Sequence, residues 1–217
     1  MPFYYISVVF GFSVIFAVII SWVRFNRIAP AFYPFIFLLW IGLLNETLSF
    51  LLNMKGLSNA INTNIYLLFE SMLMLWFFER QRVFERVPRL PFLLGGLYLV
   101  FWITENLIIY SLNEFNPYFN IFYSFITVLC SVNLINRVLL TSTGRLLLDP
   151  LFILALAFII YHTNSVLVET FWLYGLNESK EFRINLYHIL VYINLGINLV
   201  YALAVLWMPA RQKFTLL

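Results

Sequence analysis

The chain alternates between long apolar runs and short polar connections. Seven runs approach the roughly 20 residues that an α-helix needs to cross the hydrocarbon core of a bilayer. They cover residues 3–23, 32–52, 64–78, 92–109, 118–140, 151–173 and 184–207. A backbone surrounded by lipid must satisfy its own hydrogen bonds, so each run predicts a transmembrane helix. The third run is the shortest, and we expect the stretch from Glu79 to Arg86 to prolong it as a helix past the membrane surface.

Composition agrees with the membrane prediction. Of the 217 residues, 63% are hydrophobic and 11% are charged, whereas a soluble domain has about 25% charged residues. Such a chain has too few polar residues to cover a surface in water. The single cysteine, Cys130, lies within an apolar run and predicts no disulfide framework. We therefore predict an all-α membrane protein of seven transmembrane helices, with residues 1–217 in one domain.

The basic residues predict the orientation. Ten lie after spans one, three, five and seven, and three lie on the opposite side. The ten are Arg24, Arg27, Arg80, Arg82, Arg86, Arg89, Arg137, Arg145, Arg211 and Lys213. Because Lys and Arg accumulate in cytoplasmic loops, we predict an outside amino terminus and a cytoplasmic carboxyl terminus. No basic residue precedes the first run, so we expect it to be a span and not a cleaved signal peptide.

A weak internal repeat is present in the sequence. Pro34, Gly56 and Asn64-Ile65-Tyr66 mark the start of span two, its end and the start of span three; Pro150, Gly175 and Asn185-Leu186-Tyr187 mark the same points of spans six and seven. This pattern favours parallel repeats of spans one to three and five to seven, joined by span four. The alternative is that proline commonly begins helices and glycine commonly ends them.

The three-plus-one-plus-three plan with an outside amino terminus resembles the layout of SWEET sugar-efflux proteins, PnuC-type nicotinamide-riboside carriers and microbial rhodopsins. The resemblance covers the topology of the whole chain and no motif. The chain lacks the proline-glutamine pair of the SWEET family, and span seven has no lysine for a retinal Schiff base. The chain also resembles uncharacterised seven-helix membrane proteins of bacteria, which implies a location in the bacterial cytoplasmic (inner) membrane.

Ionisable side chains inside the spans are the candidates for function, because each costs about 2.5–3.5 kcal/mol to insert. They are Glu46, Glu70, Glu105, Glu169, His162 and His188. All lie at mid-span or in the half of their span nearer the predicted outer surface. Glu46 and Glu70 are each about six residues from that surface, on the order of 9 Å deep at 1.5 Å per residue.

Polar residues recur at helical spacing on spans two, three, six and seven, so each of these spans presents one polar stripe. Burying the stripes together predicts a polar pocket that opens to the outer side and binds a small ligand. The predicted lining residues are Glu46, Glu70, Tyr66, His162, Glu169, His188 and Asn194. Glu169 and His188 lie near enough to the surface to be rim residues instead, and Asn194 is also typical of interhelical hydrogen bonds. We predict neither a cofactor nor a bound metal.

Three functions are compatible with such a pocket. We favour a sensor or receptor that acts with a cytoplasmic or membrane protein partner, docked on the basic loop from Arg80 to Arg89. The first alternative is a small-solute transporter, although transporter sites commonly lie nearer the membrane midplane. The second is an intramembrane zinc hydrolase using His162, His188 and either Glu70 or Glu169.

The sequence patterns favour a protein that is not an enzyme. The chain has no H-x-x-x-H, H-E-x-x-H or G-x-S-x-G spacing, which the hydrolase alternative would lead one to expect. It also has no phosphate loop, dinucleotide fingerprint or nucleic-acid module. Its expected partners are therefore the lipid bilayer, an unknown small ligand and a protein, and not nucleic acid.

Overall fold

A computed structural model describes residues 2–141, 144–174 and 180–211 of the chain. Within these residues the secondary structure is helical, apart from one isolated bridge between Ile28 and Ala210. Seven segments are long and apolar enough to cross a membrane: Tyr5–Arg27, Pro30–Met54, Ala60–Arg80, Leu90–Ile109, Pro117–Thr141, Pro150–Tyr174 and Ile184–Trp207. The seven predicted spans are confirmed, and the chain is a polytopic membrane protein.

Five spans are single α-helices and two are irregular. Spans two, three, five, six and seven are the helices Tyr33–Met54, Ala60–Arg80, Pro117–Thr141, Pro150–Tyr174 and Lys180–Trp207. Span one consists of two helices, Pro2–Gly11 and Val14–Arg24. Span four begins as the α-helix Leu90–Ile103 and ends as a π-helix, Thr104–Ile109. Proline is tolerated in the first turn of a helix because its missing N–H would have no partner there.

The end of span three differs from the sequence prediction. The helix ends at Arg80, and Arg82 adopts the left-handed conformation with φ of +57°. The N–H of Val83 donates to the carbonyl of Phe78 at 3.0 Å, which closes the helix in a Schellman motif. The predicted prolongation through residue 86 is therefore wrong, because the chain turns immediately after the span. The charged residues that follow Arg80 therefore lie in a loop and not in a helix.

The spans pack in a ring that follows chain order. Span one packs against spans two and seven, and the pairs two–three, five–six and six–seven are also in contact. Span four lies at the edge of the bundle against spans three and five. The ring leaves space in its centre for side chains from most spans. The predicted repeat involves Gly175, which lies outside the described residues, and it stays a prediction.

Because the spans alternate in direction, the bundle has two faces. We call the face on which span one begins the amino-terminal face. The opposite one, where Arg24, Arg80 and Arg137 lie near span ends, is the arginine face. The Arg24 guanidinium donates to the carbonyls of Val205 and Leu206, which have no helical partner at the end of span seven. The Arg24 side chain thus joins the ends of spans one and seven.

Aromatic side chains fill the bundle centre in the half nearer the arginine face. The rings of Phe35, Phe77, Phe158 and Tyr201 contact one another with centroids 5.2–6.0 Å apart. The three phenylalanines are fully buried. Ring pairs at these distances are attractive beyond the area that they bury. We call these four residues the aromatic plug.

Candidate ligand-binding cavity

A cavity of about 270 Å³ lies in the bundle centre, on the amino-terminal side of the aromatic plug. Its wall comes from spans one, two, three, five, six and seven. Leu38, Leu39 and Tyr201 line it together with polar residues, and Tyr201 also belongs to the plug. The plug therefore closes the cavity toward the arginine face.

The cavity brings together most of the residues that the sequence predicted for a site. Six of the seven line it: Glu46, Tyr66, Glu70, His162, Glu169 and Asn194. His188 does not line it. His188 and Asn194 are six residues apart on one helix, which places them on faces about 120° apart at 100° per residue. Residues from the polar stripes of spans two, three, six and seven thus line one cavity, with His188 outside it, and the binding of a ligand there stays a prediction.

A second hollow of about 510 Å³ connects the cavity with the amino-terminal face. The two hollows share Gly11, Asn45, Glu46, Thr63 and Asn194 as lining residues. The second hollow extends to Asn53, Asn59 and Tyr187, near the ends of their spans. We call it the vestibule. Glu46 lies at the boundary between cavity and vestibule.

The Glu46 carboxyl group lies directly against the backbone of span one. A Cβ placed on Gly11 would stand 2.5 Å from Oε2 of Glu46, so only glycine leaves room for this side chain in its present position. Gly11 ends the first helix of span one, next to the interruption at residues 12 and 13. In the described part of the chain, Glu46 has neither a hydrogen bond nor an ion pair.

Glu70 lies deeper and is surrounded by hydroxyl groups. Its side chain is 9% exposed. The hydroxyls of Tyr66 and Tyr123 lie near its carboxyl group. The Tyr66 hydroxyl passes close to Gly42, where an added Cβ would be in ordinary contact at 3.6 Å. Small residues on spans one and two therefore make room for polar groups in the cavity.

His162 and Glu169 belong to a hydrogen-bond network between spans five and six. Ser124 Oγ lies 3.0 Å from Nδ1 of His162 and 3.3 Å from Oδ1 of Asn120. The Asn120 amide donates to Oε1 of Glu169 at 3.2 Å. Tyr123 OH lies 3.4 Å from Nε2 of His162. All these bonds are satisfied together when Nδ1 of the imidazole carries the proton and donates to Ser124.

Sequence reasoning missed the contribution of span five to this wall. Asn120 and Ser124 are four residues apart and share one face of the helix. This pair of polar residues was the sequence signal for a contribution from span five. It was missed because it is shorter than the polar stripes of the other spans. Tyr161 was also missed; it lines the cavity, and its ring centroid lies 5.2 Å from that of His162.

Glu105 has a structural role outside the cavity. Its oxygens accept the backbone N–H groups of Tyr118 at 2.8 Å and Phe119 at 2.7 Å. These donors belong to the first turn of span five, where N–H groups lack helical partners and a negative charge is favoured by the helix dipole. Glu105 lies in the π-helix that ends span four. It therefore joins spans four and five.

The geometry does not support the zinc-hydrolase alternative. Among the residues that the structure describes, no three His, Cys, Asp or Glu side chains are grouped so that they could hold a metal ion. His188 lies outside the cavity lining, and both ring nitrogens of His162 already face hydroxyl groups. The proposed ligand set is thus not assembled.

Comparison with known proteins gives no match. No family model matches the chain, and no curated protein or solved structure is significantly similar to it. The function is therefore inferred from the cavity and the vestibule.

Proposed function

We propose that this chain is a seven-span membrane receptor that binds a small polar ligand in the cavity. One observation carries the proposal: Glu46, Glu70 and Glu169 line a single hollow whose described lining contains no Lys or Arg. Carboxyl groups are costly inside a bilayer, so they are retained mainly where they serve function. A ligand supplies the positive charge that the described lining does not provide.

The chemistry of the wall favours a ligand with a positively charged or donor-rich group. Carboxylates accept hydrogen bonds, and Asn194 adds an amide that has no hydrogen bond within the described residues. The tyrosine hydroxyls near Glu70 provide further polar contacts. A volume of about 270 Å³ suits a small molecule. We therefore propose small amines as the first class of ligand to test.

The distribution of basic residues supports entry from outside the cell. The positive-inside rule assigns the arginine face to the cytoplasm. The vestibule then faces the outside of the membrane. A ligand that reaches the cavity through the vestibule would meet Glu46 first and Glu70 deeper.

The aromatic plug favours a receptor over a transporter. Its rings fill the bundle beyond the cavity, so the hollow is open on one side. A receptor needs a conformational response at the other side and a protein to detect it. We propose the arginine face as the surface that a cytoplasmic or membrane partner recognises.

A small-solute transporter is the second candidate, favoured by the interruption of span one. Discontinuous helices commonly form the substrate sites of transporters. Here span one has a short distortion at residues 12 and 13, where the N–H of Ser13 donates to the carbonyl of Phe10 at 3.2 Å, and the distortion lies beside Glu46 at the neck of the cavity. Uptake of a labelled amine into liposomes separates the candidates, because a receptor binds the amine without moving it across the membrane.

Cysteine labelling tests the access route. Cys130 is the only cysteine in the chain, so Thr63→Cys in a Cys130→Ala background places a single accessible thiol where cavity and vestibule meet. We expect membrane-impermeant methanethiosulfonates to label it from outside intact cells. The cationic ethyltrimethylammonium reagent should react faster than the anionic ethylsulfonate, and Glu46→Gln should reduce that preference.

Thr141→Cys is the matched control, because Thr141 is exposed on the arginine face. It should be labelled only after the membrane is permeabilised. The reverse pattern would show that the orientation is wrong. A Thr63→Cys protein that reacts from neither side would refute the water-filled route.

Ligand binding is tested by thermal unfolding of the purified protein with a panel of primary and quaternary amines. A bound amine raises Tm by mass action. Glu70→Gln should remove this rise, since it removes a carboxylate from the cavity while conserving side-chain size. Glu114→Gln, at an exposed position outside the cavity lining, should keep it. Equal responses of the two variants would contradict the proposed site.

A further inference from the structure

We infer that the groove between spans four and five at the arginine face binds one anionic phospholipid. The groove has a volume of about 900 Å³ and is separate from the cavity of the proposed function. Its wall combines arginine and asparagine side chains with a strip of apolar ones. A phosphate group would lie on the arginines, and an acyl chain would lie along the strip.

The groove exists because spans four and five separate toward the arginine face. Near the middle of span four, Phe101 stacks on Phe122 at 5.1 Å, and Tyr98 contacts Phe119 at 5.9 Å. Closer to the arginine face, Leu90 and Leu94 of span four line the groove. The helices are thus joined at one end and open at the other. In a bilayer such an opening between two apolar helices is filled by lipid.

The polarity of span five changes along the groove in the way that a phospholipid requires. Ile126, Leu129 and Cys130 line its deep part, and Asn133 and Arg137 line the part nearest the surface. These five residues recur at spacings of three and four and share one helix face. The distance from residue 126 to residue 137 is about 16 Å at 1.5 Å per residue. Half of the ~30 Å hydrocarbon core is similar, so the groove matches one leaflet.

Three arginines surround the end of the groove that lies at the arginine face. Arg82, Arg86 and Arg137 line it, and Glu85 is the one acid among its described lining residues. Glu85 forms an ion pair with Arg137 at 3.7 Å. Arg82 and Arg86 form neither an ion pair nor a side-chain hydrogen bond in the described part of the chain. The guanidinium groups of these two residues are available for a phosphate, whose oxygens they bind with good geometry.

An adjoining pocket extends the basic surface. It has a volume of about 310 Å³ and shares Arg82, Arg137 and Thr141 with the groove. Arg80 also lines it. The phosphate and the polar part of a lipid headgroup would lie where the groove and this pocket meet.

The backbone conformation of Arg82 indicates independently that its side chain has a function. With φ of +57°, Arg82 occupies the position of a Schellman motif that favours glycine. The same motif at the end of span two has Gly56, with φ of +70°. Span three therefore ends with a strained arginine where a glycine would relieve the strain. Such strain persists where the residue has a function.

The apolar strip identifies the occupant as a membrane lipid and not a soluble anion. A free phosphate would contact the arginines alone and leave Leu90, Leu94 and Leu129 uncovered within the groove. The charge identifies the headgroup as anionic, because a zwitterionic headgroup adds no net negative charge. Anionic lipids are enriched in the cytoplasmic leaflet, where basic residues beside spans attract them.

The test is thermal unfolding of the delipidated full-length protein in mild detergent, with three additions. Phosphatidylglycerol should raise Tm by about 5 °C or more at a hundredfold excess over its Kd. Phosphatidylcholine and inorganic phosphate should each produce a much smaller rise. An equal rise with phosphatidylcholine would refute the charge selectivity, and an equal rise with phosphate would assign the site to a soluble anion.

Variants at Arg82 link the effect to the groove. Arg82→Gln should weaken the response to phosphatidylglycerol about tenfold, the scale of a charged hydrogen bond. Arg89→Gln is the matched control, since Arg89 is exposed on the same loop outside the groove lining.

Arg82→Gly separates binding from folding. It should raise Tm without lipid, because it relieves the left-handed strain, and it should still reduce the lipid response. A variant that keeps the full response to phosphatidylglycerol would overturn the proposal.

Discussion

Gly11→Ala is the substitution whose effect the structure defines most closely. The new Cβ would stand 2.5 Å from Oε2 and 2.9 Å from Cδ of Glu46. Ordinary contact begins near 3.4 Å, so Oε2 has to retreat by about 0.9 Å. The retreating atom ends a flexible side chain without a hydrogen bond in the described structure, so the cost falls on Glu46 and not on the packing of spans one and two.

The magnitude follows from two opposing effects. Replacing glycine by alanine in a helix stabilises by about 0.5–1 kcal/mol. Forcing Glu46 from its rotamer costs about 0.5–1.5 kcal/mol. Gly11→Ala alone should therefore be close to neutral. In a Glu46→Ala background the cost disappears and the stabilisation remains, so the two positions should be coupled by about 0.5–1.5 kcal/mol.

The assay is thermal unfolding of the four proteins of this double-mutant cycle, where 1 kcal/mol corresponds to about 2–4 °C. Gly42→Ala is the control, because its Cβ would meet the Tyr66 hydroxyl at an ordinary 3.6 Å. It should stabilise equally with and without Glu46. Equal effects of Gly11→Ala in both backgrounds would show that the Glu46 carboxyl group does not lie against span one.

Two further substitutions test how the helices around the cavity are joined. Glu105→Ala removes the acceptor of two backbone N–H groups at the start of span five; it should destabilise by about 1–3 kcal/mol in thermal unfolding, and labelling of Thr63→Cys should be unchanged. Asn198→Ala removes the 3.0 Å bond to the Ser13 hydroxyl that holds the interruption of span one against span seven, and it should destabilise by about 0.6–1.7 kcal/mol. Stability equal to that of the native protein in either case would contradict the structural role assigned here.

The spans and most of the cavity are predictable from the sequence because both depend on periodicity. A bilayer imposes one length and one helical geometry on every span, so apolar runs locate the helices. A polar stripe must face inward, which brings Glu46, Glu70 and Asn194 to one hollow. His188 does not line the hollow, because it lies on a different face of span seven from Asn194. Helical periodicity therefore accounts both for the residues that line the hollow and for the exclusion of His188.

The interruption of span one and the roles of Glu105 and Arg82 depend on local backbone geometry, which the apolar pattern does not encode. Residues 3–23 form a continuous apolar run, yet the helix is interrupted after Gly11. Glu105 resembles the other intramembrane acids in sequence, but its partners are backbone N–H groups of the next span. Charge and depth alone do not distinguish a helix cap from a ligand-binding acid.

The four intramembrane acids can be ordered by what the protein provides for them. Glu105 accepts two backbone N–H groups, and Glu169 accepts the Asn120 amide. Glu70 has tyrosine hydroxyls beside it, and Glu46 has no hydrogen bond in the described residues. Glu105 at the edge of the bundle thus has the most donors, and Glu46 at the neck of the cavity has none within the described residues. A ligand gains most by binding where the protein offers least, so a donor group bound between Glu46 and Glu70 should contribute more affinity than one bound at Glu169.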